Sequence, residues 1–249
     1  MKIVLLDGYN LIYRARHSWA DRKRDKNDLN DRSIVYTFVR SMRTILDRLE
    51  PAEAYFVLEG KPKKRLSAAA DYKAGRVREK DPGFRLQRKI IIDLMKEWPG
   101  MAVVRHPDHE CDDVIGALAS LNSAIGHYVN IVSSDTDFYQ AINERVTIFN
   151  PIKKKFVNPK VDPKSYVRWK ALKGDSSDNI EGFRGIGDVR ATKMVSDSDL
   201  LDKFLSEGAN KQKFEHNVEM IRFEAVDLKS CELATKPNNV QLPIWVDFL

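Results

Sequence analysis

Five acidic residues lie close together in the middle of the chain, in two groups that each adjoin an apolar segment. The first group is Glu110, Asp112 and Asp113, and the second is Asp135 and Asp137. Carboxylates at this spacing repel one another unless cations lie between them, and carboxylate oxygens are ligands that Mg²⁺ prefers. Acids beside an apolar run also cap helices and begin turns. Each group alone therefore leaves two interpretations open, a metal site and an ordinary cap.

Three short apolar runs end at or just before an acidic residue, and they indicate the elements that would position such a site. KIVLLD ends at Asp7, EAYFVLE ends at Glu59, and YVNIV ends three residues before Asp135. Such runs are typical of buried parallel strands, whose carboxyl ends meet at the rim where α/β sheets hold ligands. We expect the three carboxylates to share that rim, which favours the metal site.

Helical patterns alternate with these runs. Apolar residues recur at three- and four-residue spacing over residues 31–49, as they do on one face of a packed helix. Further helices are predicted over residues 85–98 and 110–121 and from residue 138, and further strands over 101–104 and 146–149. The alternation predicts an α/β fold with a mainly parallel central sheet and helices on both faces.

The segment from Lys61 to Lys89 is strongly basic, with eleven Lys and Arg residues and three acidic ones, whereas the whole chain has a net charge of +6. Residues 61–82 contain almost no apolar side chains, so we predict that they lie outside the core. Tyr72 lies among cationic residues, a mixture suited to stacking on a base and neutralising phosphates. These cations are Lys73, Arg76 and Arg78. A solvated surface is the alternative, but the segment directly follows Glu59 at the acidic rim, which favours nucleic-acid binding.

Composition restricts the class of protein. The chain has 249 residues, 43% of them apolar, which is enough for a sizeable core. No apolar run approaches the ~20 residues that span a bilayer, so we expect a globular protein in a cytoplasmic setting. Cys111 and Cys231 are too few for a disulfide framework. His106, His109 and Cys111 lack a second ligand pair with zinc-site spacing.

The remaining residues suggest a second, mainly helical part. Asn150-Pro151 and Asn158-Pro159 flank a basic turn, so we place a division at residue 155, between an α/β core (residues 1–155) and a helical part (residues 156–249). Asp175 and Asp178 add two more acids there. The turn Gly185-Ile186-Gly187 opens a helix, and its amide groups could approach a phosphate closely. The apolar tail Pro237–Leu249 is expected to dock on the body, with a partner-binding peptide as the alternative.

As a set, these residues resemble the prokaryotic and bacteriophage 5′-nucleases, the flap endonuclease and 5′-3′ exonuclease family that includes the nuclease domain of DNA polymerase I. The motifs that carry the resemblance are DGYNLIYRA, DYKAGR, ECDDVIG, SSDTDF and GDSSDNIEGFRGIG, in the family's order. The resemblance extends from Met1 to roughly Val195. It implies a PIN-like nuclease core, a helical arch within residues 61–89, and a helix-hairpin-helix at about residues 163–195.

The resemblance also implies site residues and cofactors. Two Mg²⁺ ions are implied, for which Mn²⁺ could substitute, and a K⁺ ion at the hairpin. The ligands of the first metal would be Asp7, Glu59, Glu110, Asp112 and Asp113. Those of the second would be Asp135, Asp137, Asp175 and Asp178. Lys73 and Arg76 would act on the scissile phosphate, with Asp112 and Asp135 as catalytic metal ligands. The residues implied in DNA binding are Tyr72, Lys73, Arg76, Arg78, Phe183, Gly185, Ile186, Gly187 and Lys193.

The implied function is structure-specific hydrolysis of DNA near a 5′ end, a nick or a 5′ flap. A monomer is expected, with a possible replication partner bound through the tail. Two-metal hydrolysis fits the acidic residues, and we find no Ser-His or Cys-His nucleophile arrangement. Glu59 stands where the family usually has Asp, so a structure-specific DNA-binding protein with a weakened or degenerate metal site is the alternative. A PIN-type ribonuclease would share the acidic rim but would not need the hairpin at Gly185–Gly187.

Overall fold

The structure is a computed structural model, which describes residues 1–17, 28–69, 72–73 and 80–234. Arg76, Arg78 and the tail Pro237–Leu249, singled out in the sequence, lie outside the described residues.

A seven-stranded sheet forms the centre of the molecule. The strands of the whole described chain are β1 (Lys2–Asp7), β2 (Glu53–Leu58), β3 (Met101–Arg105), β4 (Tyr128–Val132), β5 (Val146–Asn150), β6 (Lys155–Phe156), β7 (Gly174–Asp175), β8 (Ile180–Glu181) and β9 (Glu232–Ala234). The sheet has the order β6-β5-β4-β1-β2-β3-β9. Its five inner strands are parallel, and β6 and β9 are antiparallel to their neighbours. The predicted mainly parallel sheet is therefore confirmed.

Helices cover both faces of the sheet, as predicted. The helices are α1 (Gly8–Arg16), α2 (Ser33–Leu49), α3 (Lys63–Ala68), α4 (Pro82–Glu97), α5 (Cys111–Ala124), α6 (Tyr166–Lys173), α7 (Asp188–Ser196), α8 (Ser198–Leu205) and α9 (Asn210–Ile221). Side chains alternate along β1, so Val4 and Leu6 pack against α1, α2 and α4, whereas Ile3 and Leu5 face α5. Both sets are fully buried. Within the described residues, no helix combines the length and apolarity that crossing a membrane requires.

A third apolar cluster lies under the C-terminal helices. It contains Leu172 from α6, Met194 from α7 and Leu201 from α8, and it also contains Tyr72 from the basic segment. The small hairpin formed by β7 and β8 lies between α6 and α7. This cluster connects the helical part of the chain to the basic segment.

Two expectations are corrected by the structure. The predicted helix at residue 138 is a 3₁₀ turn, Asp137–Ala141, in which the Tyr139 amide donates to the Thr136 carbonyl. The basic segment is not wholly outside the core, because ion pairing and packing bury Arg65 and Tyr72. The C-terminal part also supplies a strand, β9, which pairs with β3 in the central sheet.

The division at residue 155 stays a prediction. Strand β6 spans that position and pairs with β5, and β9 returns to the opposite edge of the same sheet. The helical residues between them contribute their own apolar cluster.

Candidate active site

Asp7 lies at the carboxyl end of β1, where it joins that strand to α1 and to the end of β4. Its Oδ1 accepts a hydrogen bond from the Asn10 amide (3.1 Å), so Asp7 is the N-cap of α1. Its Oδ2 accepts a hydrogen bond from the Ser133 hydroxyl (2.8 Å). Burial raises the pKa of Asp7 to about 6, despite these hydrogen bonds. The hydrogen bonds thus hold the Asp7 carboxylate in place but do not fully offset the cost of burying its negative charge.

Glu59 follows β2 and reaches the same region. Its Oε2 accepts a hydrogen bond from the backbone amide of Cys111, 3.2 Å away. Burial and then the negative charge of Glu110 raise the pKa of Glu59 to about 7. This hydrogen bond ties the end of β2 to the first turn of α5.

A cavity, which we call the first cavity, opens where these strand ends meet. Its lining includes four of the predicted metal ligands, Asp7, Glu59, Asp112 and Asp135. Burial, followed by repulsion from Asp113 and Glu110, raises the pKa of Asp112 well above its usual value. The strand-end acids predicted to share one rim therefore do lie together, joined by Asp112 from the first turn of α5.

A second cavity adjoins the first. Asp137, Asp175 and Asp178 line it, and one carboxylate oxygen from each lies within 4.8 Å of the others. The β7–β8 hairpin brings Asp175 to this place from the helical part of the chain. Asp112, Asp135 and Lys73 line both cavities. Two acidic compartments thus share a boundary made of two carboxylates and one ammonium group.

Lys170 is a residue of this region that the sequence analysis missed. It lies on α6, is buried, and its ammonium group contacts both Asp137 and Asp175 Oδ2, the latter at 2.6 Å. Burial would raise the pKa of Asp175, but hydrogen bonds from Lys170 and Ser177 lower it overall. A single lysine in a helix gives no pattern in the sequence, so only the fold reveals this pairing.

Asp113 does not line either cavity. Its carboxylate is bound by both terminal nitrogens of Arg65, at 2.7 and 2.8 Å, and it also accepts a hydrogen bond from the Glu224 amide. One oxygen from each of Glu110, Asp112 and Asp113 lies within 4.8 Å of the others. The place of Asp113 beside the first metal therefore stays a prediction.

Glu110 lies behind the first cavity and is surrounded by donors. Its Oε2 accepts hydrogen bonds from Arg65 (2.6 Å) and from the Tyr72 hydroxyl (2.9 Å), and its Oε1 contacts the Lys73 ammonium at 2.5 Å. Burial would raise the pKa of Glu110, but the charge and hydrogen bond of Lys73 lower it overall. Glu110 therefore forms ion pairs with Arg65 and Lys73, and of these two cations Lys73 lines both cavities.

Lys73 and Tyr72 differ in their contacts with the acidic residues and in their burial. Lys73 reaches Asp178 Oδ2 at 3.5 Å as well as Glu110, so it bridges acids from the two parts of the chain. Tyr72 is only 5% exposed and packs in the third apolar cluster. The ring of Tyr72 is therefore buried in this structure, and its stacking on a base stays a prediction.

The predicted hairpin residues lie in the turn between β8 and α7. Gly185 has a φ of +76°, which favours glycine, and the Ile186 amide donates to the Phe183 carbonyl at 3.0 Å. Gly187 is the N-cap of α7, and Lys193 is exposed on that helix. Phe183 and Ile186 pack into the third cluster. The contacts of this turn with DNA stay a prediction.

Comparisons with known proteins agree with this architecture. The bacteriophage T5 flap endonuclease, crystallised with DNA and metal ions, superposes with a TM-score of 0.72 at 20% identity, over 89% of each chain. The thermostable DNA polymerase I of Thermus thermophilus is 29% identical over 255 residues, which cover 99% of this chain and 30% of the polymerase. A 5′-3′ exonuclease of Aquifex aeolicus is 27% identical over 234 residues, covering 91% of this chain and 78% of that protein.

The family assignment follows from a match over most of the chain. Residues 2–168 match the family described as the 5′-3′ exonuclease, N-terminal resolvase-like domain. The matched residues include β1 to β5 and the acids of the first cavity. The resemblance inferred from the sequence motifs is thereby confirmed, and this chain belongs to the 5′-3′ exonuclease family.

Proposed function

We propose that the chain is a metal-dependent 5′-nuclease that hydrolyses phosphodiester bonds of DNA at a 5′ end, a nick or a 5′ flap. The observation that carries this proposal is the pair of adjoining acidic cavities, which share Asp112, Asp135 and Lys73. Two divalent cations roughly 4 Å apart, bound by such carboxylates, supply an activated water and neutralise charge on the reacting phosphate.

The charges of the site support the binding of divalent cations. Burial raises the pKa of Asp7 to about 6, that of Glu59 to about 7, and that of Asp112 well above its usual value. Such shifts mean that the protein's own cations compensate these carboxylates incompletely. A divalent cation would supply the missing positive charge.

The donor atoms favour Mg²⁺ over softer metals. Cys111 also lines the first cavity, but burial, followed by the charge of Asp7, raises the pKa of its thiol well above its usual value. The thiol also lies 3.3 Å from the Val57 carbonyl, to which it donates. A neutral thiol is a poor ligand, so the remaining donors are carboxylate oxygens, which Mg²⁺ and Mn²⁺ accept.

Each cavity would hold one ion. We assign the first ion to Asp7, Glu59, Asp112 and Asp135, and the second to Asp135, Asp137, Asp175 and Asp178. Lys73 lines both cavities, and its ammonium group would hold a phosphate oxygen there. Lys170 would keep the Asp137 and Asp175 carboxylates oriented. Arg76 keeps its predicted role as a second phosphate-binding cation.

DNA binding would extend beyond these cavities. We assign duplex binding to the turn Phe183–Gly187, with a K⁺ ion held by main-chain carbonyls, and to Lys193. The basic residues around Tyr72 would grip the single strand. The proposal also includes a division of the chain at residue 155 and a monomeric state. It further includes a replication partner that binds through the tail.

A cleavage assay tests the proposed function. Purified protein should shorten 5′-labelled flap and nicked DNA in Mg²⁺ or Mn²⁺, with no cleavage in EDTA. Asp112→Asn and Asp135→Asn should each abolish cleavage while retaining DNA binding, because each removes a carboxylate that both cavities share. Failure of the unsubstituted protein to cut either substrate in both metals would refute the proposal.

A DNA-binding protein with a weakened metal site is the second candidate, and Glu59 is the observation that favours it. Its side chain is longer than the Asp usual in the family, and one of its oxygens is engaged by the Cys111 amide. If this candidate holds, Glu59→Asp should strongly increase cleavage. Equal or lower cleavage by Glu59→Asp would favour the active nuclease.

A further inference from the structure

A groove, which we call the hairpin groove, extends from the second cavity toward the hairpin formed by β5 and β6. It has a volume of about 860 Å³. Tyr139, Tyr166 and Trp169 line both the groove and the second cavity. The hairpin groove and the second cavity therefore adjoin one another at these three side chains.

Lysines line the outer part of the hairpin groove. Lys153, Lys155 and Lys160 are all exposed there. None of the three forms an ion pair with a residue in the described part of the chain, so their charge is available to a ligand. The acidic residue of the lining, Asp188, is already paired with Lys173 at 2.7 Å. The groove thus has a positive rim, which suits a polyanion.

Two aromatic side chains of the hairpin groove, Phe156 and Trp169, are partly exposed. Phe156 is 48% exposed although its inner edge packs against Phe149, with ring centroids 5.5 Å apart. The Trp169 ring is held by its indole N–H, which donates to the Thr192 hydroxyl at 3.1 Å. Rigid, partly exposed rings beside cations are the features on which unpaired bases stack. A duplex would contact the lysines but would leave its bases away from these rings.

We propose that the hairpin groove binds unpaired nucleotides of a nucleic-acid strand that continues from the catalytic centre. Lys153 and Lys155 would contact phosphates, and Phe156 would stack on a base. This inference rests on the proposal that the chain acts on nucleic acid. The proposed single-strand subsite lies beside Tyr139, Tyr166 and Trp169, which form one side of the second cavity. The basic segment contacts the site at a different place, through Lys73.

Binding measured in EDTA separates this inference from the proposed cleavage. Three fluorescein-labelled probes are compared. One is a blunt hairpin duplex, and the other two are the same duplex with an extension of about six unpaired nucleotides at its 5′ end or at its 3′ end. Anisotropy titrations at several salt concentrations give the affinity and its salt slope. The unsubstituted protein should bind one extended probe more tightly than the blunt one.

The variant Lys153→Ala/Lys155→Ala tests the phosphate contacts. Each phosphate contact with a single strand contributes about 0.7 to the slope of log K against log salt, so the slope for the extended probe should fall by about 1.4. The matched control is Lys2→Ala/Lys229→Ala, which removes the same charge. Lys2 lies at the amino end of β1 and Lys229 beside the opposite edge strand, β9. The control should keep the original slope.

Phe156→Ala tests the stacking contact. It should weaken binding of the extended probe about tenfold, leave the blunt probe unaffected, and leave the salt slope unchanged, because stacking involves no counterion release. Thermal unfolding of each variant checks that the fold is retained.

Three results would overturn the inference: a lysine double variant that behaves like its control, a Phe156→Ala protein that binds the extended probe normally, or equal losses for blunt and extended probes. A protein that fails to cut DNA but gives the expected binding pattern would refute the proposed nuclease and retain the groove. The reverse result would retain the nuclease and refute the groove.

Discussion

Arg65 and Asp113 form a bidentate ion pair inside the protein, with side chains only 3% and 0% exposed. Arg65 comes from α3 at the start of the basic segment, and Asp113 from the first turn of α5. The same guanidinium donates to the Met220 and Arg222 carbonyls, at 3.2 and 3.0 Å. Burial would lower the pKa of Arg65, but the Asp113 carboxylate raises it overall, so the group stays charged. One side chain therefore joins the base of the basic segment, the acidic helix and the end of α9.

Replacing Arg65 should destabilise the whole protein. Arg65→Ala leaves Asp113 buried without its arginine and Glu110 with Lys73 as its remaining cation, and breaking a buried pair in this way costs about 3–5 kcal/mol. Arg65→Lys should recover little of this, because an ammonium group cannot bind two oxygens in parallel. Urea unfolding measures both losses. Arg43→Ala is the control, since its ion pair with Asp47 is exposed, and it should change stability by less than about 0.5 kcal/mol. Equal effects at the two arginines would refute the structural role.

The neighbouring acids Asp112 and Asp113 should respond oppositely to replacement by Asn. Asp113→Asn removes the partner of Arg65 and should cost about 3 kcal/mol in EDTA. Asp112→Asn removes a carboxylate whose pKa is already raised, so stability in EDTA should be unchanged or higher. Mn²⁺ titration by calorimetry should show the loss of binding for Asp112→Asn. Matching stability losses in the two variants would contradict the separation of these residues.

Metal binding should strengthen as the pH rises. The folded pKa values of Asp7 and Glu59, about 6 and about 7, exceed the ordinary values of 3.8 and 4.5. The folded metal-free protein therefore holds these protons more tightly than the unfolded chain, so their contribution to stability is present at low pH and is lost as the pH rises through 6 and 7. Mg²⁺ needs the deprotonated forms and should raise the unfolding temperature more at about pH 8 than at about pH 5.5.

Glu59→Gln is the control for this pH effect, because it removes one titrating group. Its Mg²⁺-induced temperature shift should depend less on pH than that of the unsubstituted protein. A shift of the same size at both pH values in the unsubstituted protein would contradict the assignment of these two carboxylates to metal binding.

Lys170 should stabilise the metal-free protein more than the metal-bound one. Lys170→Met leaves Asp137 and Asp175 partly buried without their cation, which should cost about 3 kcal/mol in EDTA. A divalent cation would restore positive charge, so saturating Mg²⁺ should reduce the difference from the unsubstituted protein. Thermal unfolding with and without Mg²⁺ measures both values. Lys89→Met is the control, because its ion pair with Asp93 is exposed and neither residue lines the two cavities. A deficit for Lys170→Met that Mg²⁺ leaves unchanged would contradict this role.

The sequence predicts the acidic rim because parallel strands impose a rule on position. Asp7, Glu59 and Asp135 each follow a buried strand, and the carboxyl ends of parallel neighbours meet at one edge. The buried cations follow no such rule. Arg65 and Lys170 are single residues in polar contexts, and their burial depends on acids that are distant in the sequence.

The direction in which each acidic side chain of α5 points could be learned only from the structure. Glu110 and Asp113 form a capping box at the start of α5, so they share one face of that helix. That face is turned toward Arg65, while Asp112 is turned toward the cavities. Periodicity gives the angle between side chains on a helix, but tertiary packing decides which face meets the site.

A very short strand forms one outer edge of the central sheet. Strand β6 has two residues and runs antiparallel to β5, which it covers. Sheet edges expose unpaired amide and carbonyl groups that can recruit another chain, and short edge strands with lysines limit that pairing. Lys155 is such a residue on β6. Edge-to-edge aggregation is thereby discouraged on this side, so the parallel strands can be kept at the centre of the sheet without promoting fibre growth there.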